Sequence, residues 1–81
     1  MKYYIGLDIG GTKCAATLGV IKNGVLEIID KGYFLTAGQK PAFILERFFA
    51  FIDRQLKHYK ISGIGISCGG PLDSAKTYVL N

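Results

Sequence analysis

The stretch Leu7-Asp8-Ile9-Gly10-Gly11-Thr12-Lys13 constrains this chain most, because it sets one carboxylate and two adjacent glycines between two apolar segments. Tyr3, Tyr4, Ile5 and Leu7 are β-formers in a run too short for a helix, so the chain opens on a buried strand. The segment after the glycines, Cys14 to Val20, again reads as a strand. That excludes a Walker-type loop and a dinucleotide fingerprint, both of which require a helix to open directly after the glycines.

Two readings of the turn follow. In one, Gly10 and Gly11 remove Cβ atoms so that main-chain N–H groups can approach an anion, with Thr12 adding a hydroxyl and Lys13 a cation. Asp8 at the strand end would then hold magnesium through water, since that ion keeps much of its hydration shell. In the other, the glycines form an ordinary hairpin turn with Asp8 as a turn carboxylate. Lys13 either adds charge to the loop or points to solvent from the next strand.

The rest of the chain alternates strand and helix signals. Asn23-Gly24 between apolar runs predicts a tight hairpin with positive φ at its centre, leading into a third strand over Val25 to Phe34. Leu26, Ile28 and Tyr33 or Leu35 alternate there with charged residues, and the alternation breaks at Ile28-Ile29. Pro41 suits the first turn of a helix, and Ile44 or Leu45, Phe48, Ile52, Leu56 and Tyr59 recur at helical spacing to about Tyr59. Phe43, Phe49 and Phe51 widen that stripe, and Asp53 and Lys57 are placed to pair across a turn. Ile61 to Ser67 predicts a fourth strand, parallel to the first because a helix crosses over to it. Its Gly63 and Gly65 serve close packing either beside the loop or against a helix. A further strand begins near Thr77.

Asp8-Ile9-Gly10-Gly11-Thr12-Lys13 resembles the first phosphate motif of the sugar-kinase, actin and heat-shock-chaperone superfamily, and its Gly-Gly-Thr-Lys form is most similar to the ROK family of sugar kinases and sugar-responsive repressors. Gly63-Ile64-Gly65-Ile66-Ser67-Cys68-Gly69-Gly70-Pro71-Leu72-Asp73 resembles that family's later strand and loop, departing from it at Gly69, where members often carry proline. The resemblance covers essentially the whole chain. It implies an α/β, ribonuclease-H-like (actin-like ATPase) N-terminal half: three antiparallel strands, a crossover helix and a parallel strand, truncated, with residues 1–81 forming one incomplete domain.

By the same resemblance the activity is transfer of the γ-phosphoryl group of ATP to a sugar hydroxyl, with ATP and magnesium as cofactors. Asp8 would position magnesium, Gly10, Gly11 and Thr12 would bind phosphate, Lys13 would add charge, and Gly70 and Pro71 would line the approach to the sugar. The family's aspartate base, its sugar-binding Glu and His and its zinc-binding cysteines belong to later segments. This chain therefore carries no catalytic residue, zinc is expected only beyond it, and Asp73 does not replace the base. A sugar-sensing repressor is the alternative, although Met1 stands directly before the first strand where a repressor would carry a helix-turn-helix. A non-catalytic interaction module is a second alternative.

Composition bounds these expectations. A domain of 81 residues buries only roughly 60–65% of its unfolded surface. A hydrophobic fraction of 49% and mean hydropathy of +0.27 are high for that size, so self-association is expected. The ten basic residues behind the net charge of +4 are scattered rather than clustered, which argues against a nucleic-acid face. No apolar run reaches a membrane span and no signal peptide opens the chain, so the expected location is cytoplasmic. Cys14 and Cys68 are too far apart for a zinc or redox motif and read as buried free thiols. His58 reads as a solvated group at the helix end.

Overall fold

A computed structural model describes residues 1–68 and 76–80, the latter as a strand. One five-stranded sheet carries the molecule, built from β1 (Lys2–Ile9), β2 (Lys13–Lys22), β3 (Val25–Leu35), β4 (Ile61–Cys68) and β5 (Lys76–Leu80), in the order β3-β2-β1-β4-β5. The helix α1 (Pro41–Leu56) crosses from β3 to β4. β1 to β3 form an antiparallel meander, β4 joins β1 in parallel, and β5 returns antiparallel to β4.

Local chemistry explains the meander. Asn23 and Gly24 take φ of 51° and 78°, the positive values that let a two-residue turn follow the twist of its strands. The interrupted alternation at Ile28-Ile29 is a β-bulge: Leu18 pairs with Asp30 and Gly19 with Ile28, which leaves Ile29 as the extra residue. The bulge moves the next residues to opposite faces, so Phe34 rather than Tyr33 or Leu35 turns toward the helix, where its ring meets Phe48 edge-on at 5.2 Å.

The core lies between α1 and one sheet face. Ile5 and Leu7 of β1 and Cys14, Ala16 and Leu18 of β2 pack with Phe48 and Phe51, and Ile44, Ile52, Ile64 and Ile66 border them. The helix starts as expected, with Pro41 in its first turn and Lys40 extended before it. It ends earlier than the periodicity predicts. The N–H groups of His58 and Tyr59 both donate to the Gln55 carbonyl, and Tyr59 leaves the helix to set its ring 4.8 Å from that of Tyr3.

The predicted stripe also needs correction. Phe43, Leu45, Phe49 and Leu56 are exposed, whereas Gln55 is buried. Among the described residues the ion pair is Arg54 with Asp30, at 3.6 Å, rather than Asp53 with Lys57. Cys14 is buried as expected, but Cys68 is exposed at the end of β4. No described helix is long and apolar enough to cross a membrane.

Candidate phosphate-binding hairpin

The turn between β1 and β2 is tight. Ile9 pairs with Cys14, and the Gly10 N–H donates to the Lys13 carbonyl at 3.1 Å, so Gly11 and Thr12 form the tip. Gly10 is required for steric reasons and not for a positive φ: a Cβ there would lie 2.7 Å from the Lys13 carbonyl oxygen. A Cβ on Gly11 would meet nothing within 4 Å. Because its N–H closes the turn, Gly10 has no main-chain donor left for an anion. Among the described residues the N–H groups of Gly11 and Thr12 have no backbone acceptor, and both residues are exposed.

The hairpin is held from behind. The Thr12 carbonyl accepts hydrogen bonds from the N–H groups of Thr36 (2.8 Å) and Ala37 (3.3 Å), in the loop that leaves β3. Beneath it, Cys14 Sγ and Thr36 Oγ1 share a hydrogen bond at 2.9 Å. Thr36, in a run that reads as loop, carries no sequence signal for this role, since Thr12 and Cys14 lie more than twenty residues away.

Asp8 sits on the sheet face opposite α1, one residue before the end of β1 and directly beside Ser67 of β4. The two strands run parallel, so this is the carboxyl end of the sheet, where α/β folds place ligands. A concavity of about 270 Å³ is lined there by Gly6, Leu7, Asp8, Thr17, Gly65 and Ser67. Glycines on adjacent strands, Gly6 paired with Gly65, keep its floor low. Among the described residues no three of His, Cys, Asp and Glu gather to cage a metal. A single exposed carboxylate at the rim of this largely apolar hollow suits a hydrated magnesium ion, which needs few protein ligands, better than a dehydrated structural metal.

Lys13 does not reach toward the tip. Its ammonium lies 5.4 Å from the Tyr33 ring centroid, and that of Lys31 approaches the same ring at 5.1 Å. The structure thus brings Asp8, Gly11 and Thr12 to one end of the sheet, uses Gly10 to shape the turn and directs Lys13 onto β3. Gly70, Pro71 and Asp73 lie outside the described residues.

The sequence matches no family model and no curated protein. Solved structures do share the arrangement. A crystal structure of the type II variant of the Aquifex aeolicus Ppx/GppA phosphatase superposes with a TM-score of 0.54 at 18% identity, covering 84% of this chain and 26% of that one. A structural study of the Aquifex aeolicus Ppx/GppA enzyme gives 0.53 at 18% identity, covering 83% and 25%. This chain spans about a quarter of the length of those structures. At that identity the likeness establishes the fold alone, an α/β arrangement of the actin-like ATPase type that matches about a quarter of those structures.

Proposed function

We propose that this chain is the N-terminal, phosphate-binding portion of an ATP-dependent kinase that passes the γ-phosphoryl group to a sugar hydroxyl. The observation that carries the reading is the tip of the first hairpin, where the Gly11 and Thr12 N–H groups have no backbone acceptor among the described residues and lie at the same end of the sheet as the Asp8 carboxylate. Paired main-chain donors at a glycine turn suit the oxygens of a phosphate, and a nearby carboxylate suits the magnesium that accompanies ATP. Magnesium, when bound, neutralises charge on the phosphoryl oxygens. The chain's own residues bind and orient: Gly11 and Thr12 hold phosphate, Asp8 holds the hydrated ion, and Gly10 keeps the turn narrow. Sugar as acceptor is supported by the Gly-Gly-Thr-Lys and Gly-Gly-Pro-Leu-Asp pair, which resembles the ROK family.

Hydrolytic phosphoryl transfer is the second reading, favoured by the fold neighbours, which are phosphatases. The two readings differ in acceptor. Full-length protein carrying this chain, given ATP and a hexose panel, should yield sugar phosphate in the first case and inorganic phosphate alone in the second. Asp8→Asn should lower turnover by roughly a hundredfold or more in either case, as loss of a preorganised charge-stabilising group does. Its circular dichroism should match the wild type, because the side chain is exposed. Unchanged turnover in a folded Asp8→Asn protein refutes the site.

A further inference from the structure

Resting on the reading that the first hairpin binds phosphate, we propose that Thr36 is the positioning residue of that hairpin, acting through Thr12 and Cys14 and touching no ligand itself. Three of its groups are engaged. Its N–H donates to the Thr12 carbonyl at 2.8 Å, its hydroxyl is bonded to Cys14 Sγ at 2.9 Å, and its carbonyl accepts from the Gln39 N–H at 3.1 Å. The last bond closes a turn through Gly38, whose φ of 78° suits glycine. The Ala37 N–H adds a second donor to the Thr12 carbonyl at 3.3 Å.

A hairpin tip without such support is free to rotate its peptide planes. Here two donors fix the carbonyl of Thr12, in the peptide plane that follows the tip, toward the β3–α1 loop, while the Gly10 N–H fixes the other side of the turn; together they limit how the peptides between them can rotate and keep the Gly11 and Thr12 amides available to an anion. The hydroxyl bond anchors the loop to a thiol that is itself in the core, since Cys14 is 1% exposed. Phosphate binding then pays little ordering entropy, because the donors are already in place. Without the hydroxyl the loop keeps its backbone bonds but loses its tie to the core, so the cost falls on affinity rather than on folding.

The test measures magnesium pyrophosphate binding by titration calorimetry in the full-length protein. Loss of one ordinary hydrogen bond corresponds to roughly three- to tenfold in affinity, and Thr36→Val should weaken binding by about that factor at unchanged stoichiometry. Thr36→Ser restores the hydroxyl and should bind within about twofold of wild type. Cys14→Ala removes the contact from its other side, so it reports on the proposal even where Thr36→Val does not fold. It should weaken binding similarly, and combining the two changes should add nothing further, the signature of one shared interaction. An unchanged dissociation constant with reduced stoichiometry means a merely structural role and overturns the proposal, as do a serine variant no better than valine and additive effects in the double variant. Wild-type protein that binds pyrophosphate but makes no sugar phosphate overturns the sugar-kinase reading alone, and the variants still decide the role of Thr36. Wild-type protein that binds no pyrophosphate overturns both.

Discussion

The Gln55 side-chain amide donates to Asp30 Oδ2 at 2.6 Å and so ties the last turn of α1 to the bulge in β3. Gln55 is 4% exposed, which makes Asp30 the partner that renders its burial tolerable. The bulge is what brings Asp30 to the helix face. The same carboxylate accepts from the Lys31 N–H at 2.9 Å and forms only an ion pair, at 3.6 Å, with Arg54, whose side chain is 60% exposed.

These exposures predict unequal costs. Asp30→Ala strands a buried amide and should destabilise the fold by about 1–3 kcal/mol. Gln55→Leu should cost less, because the half-exposed carboxylate it leaves behind can turn to water. Arg54→Ala breaks only a solvent-screened pair and should change stability by less than about 1 kcal/mol. Urea denaturation of the three variants checks the order; an Arg54→Ala effect as large as that of Asp30→Ala contradicts it.

The phenylalanines of α1 separate in the same way. Phe48 is 2% exposed and packs edge-on against Phe34, whereas Phe49, one position on, is 58% exposed. Phe48→Ala should cost about 3–5 kcal/mol, and a domain this small has only several kcal/mol to lose, so unfolded protein is the expected outcome. Phe49→Ala should stay within about 1 kcal/mol of wild type. Thermal melts distinguish the two, and equal losses refute the assigned helix face.

What was legible in the sequence was set by atoms close along the chain. Asn23-Gly24 demands positive φ, Pro41 demands a helix start, and the two glycines after Asp8 demand a tight turn; each stands where the residues place it. Even the bulge left a trace, as broken alternation at Ile28-Ile29. The helix face was blurred because Phe48, Phe49 and Phe51 all fit a broad stripe, and only the sheet's position selects among them. Cys14 with Thr36 and Gln55 with Asp30 were invisible, because their partners are 22 and 25 residues apart. Such pairings follow from strand register, which the bulge shifts, and no local pattern encodes them. The glycine pair looks like one device in the sequence but divides into a shape-giving residue and a donor.

That division predicts different outcomes for two similar substitutions. Gly10→Ala puts a methyl group 2.7 Å from a backbone oxygen that is itself hydrogen-bonded across the turn, so the hairpin must open. It should lower the melting temperature by roughly 5–20 °C, as about 1–3 kcal/mol does in a domain of this size. Gly11→Ala meets no atom and no positive φ, so the melting temperature should hold within a degree or two. Any loss at Gly11 should then appear in pyrophosphate affinity alone, since a tip methyl group stands where the anion would approach. Calorimetry and melting on both proteins check this, and a Gly11 variant less stable than the Gly10 variant refutes the geometry.

The sheet face opposite α1 predicts how the 81-residue chain behaves alone. Leu26, Ile28, Tyr33 and Leu35 of β3 are each more than half exposed, and beside them a groove of about 290 Å³ runs over Gly6, Gly19, Gly63 and Gly65. Glycines at adjacent register positions let another surface approach the backbone, and the leucine and isoleucine on its rim are apolar. Contiguous apolar area of this kind drives association in water. Light scattering over a wide concentration series should show mass rising with concentration. Leu26→Lys with Ile28→Lys should shift the population toward monomer without loss of circular dichroism signal, because both side chains already lie in solvent. If wild type stays monomeric at every concentration, the face is too small to associate; if the double lysine variant associates as strongly, the contact lies elsewhere, and the unpaired edge of β3 is the next surface to alter.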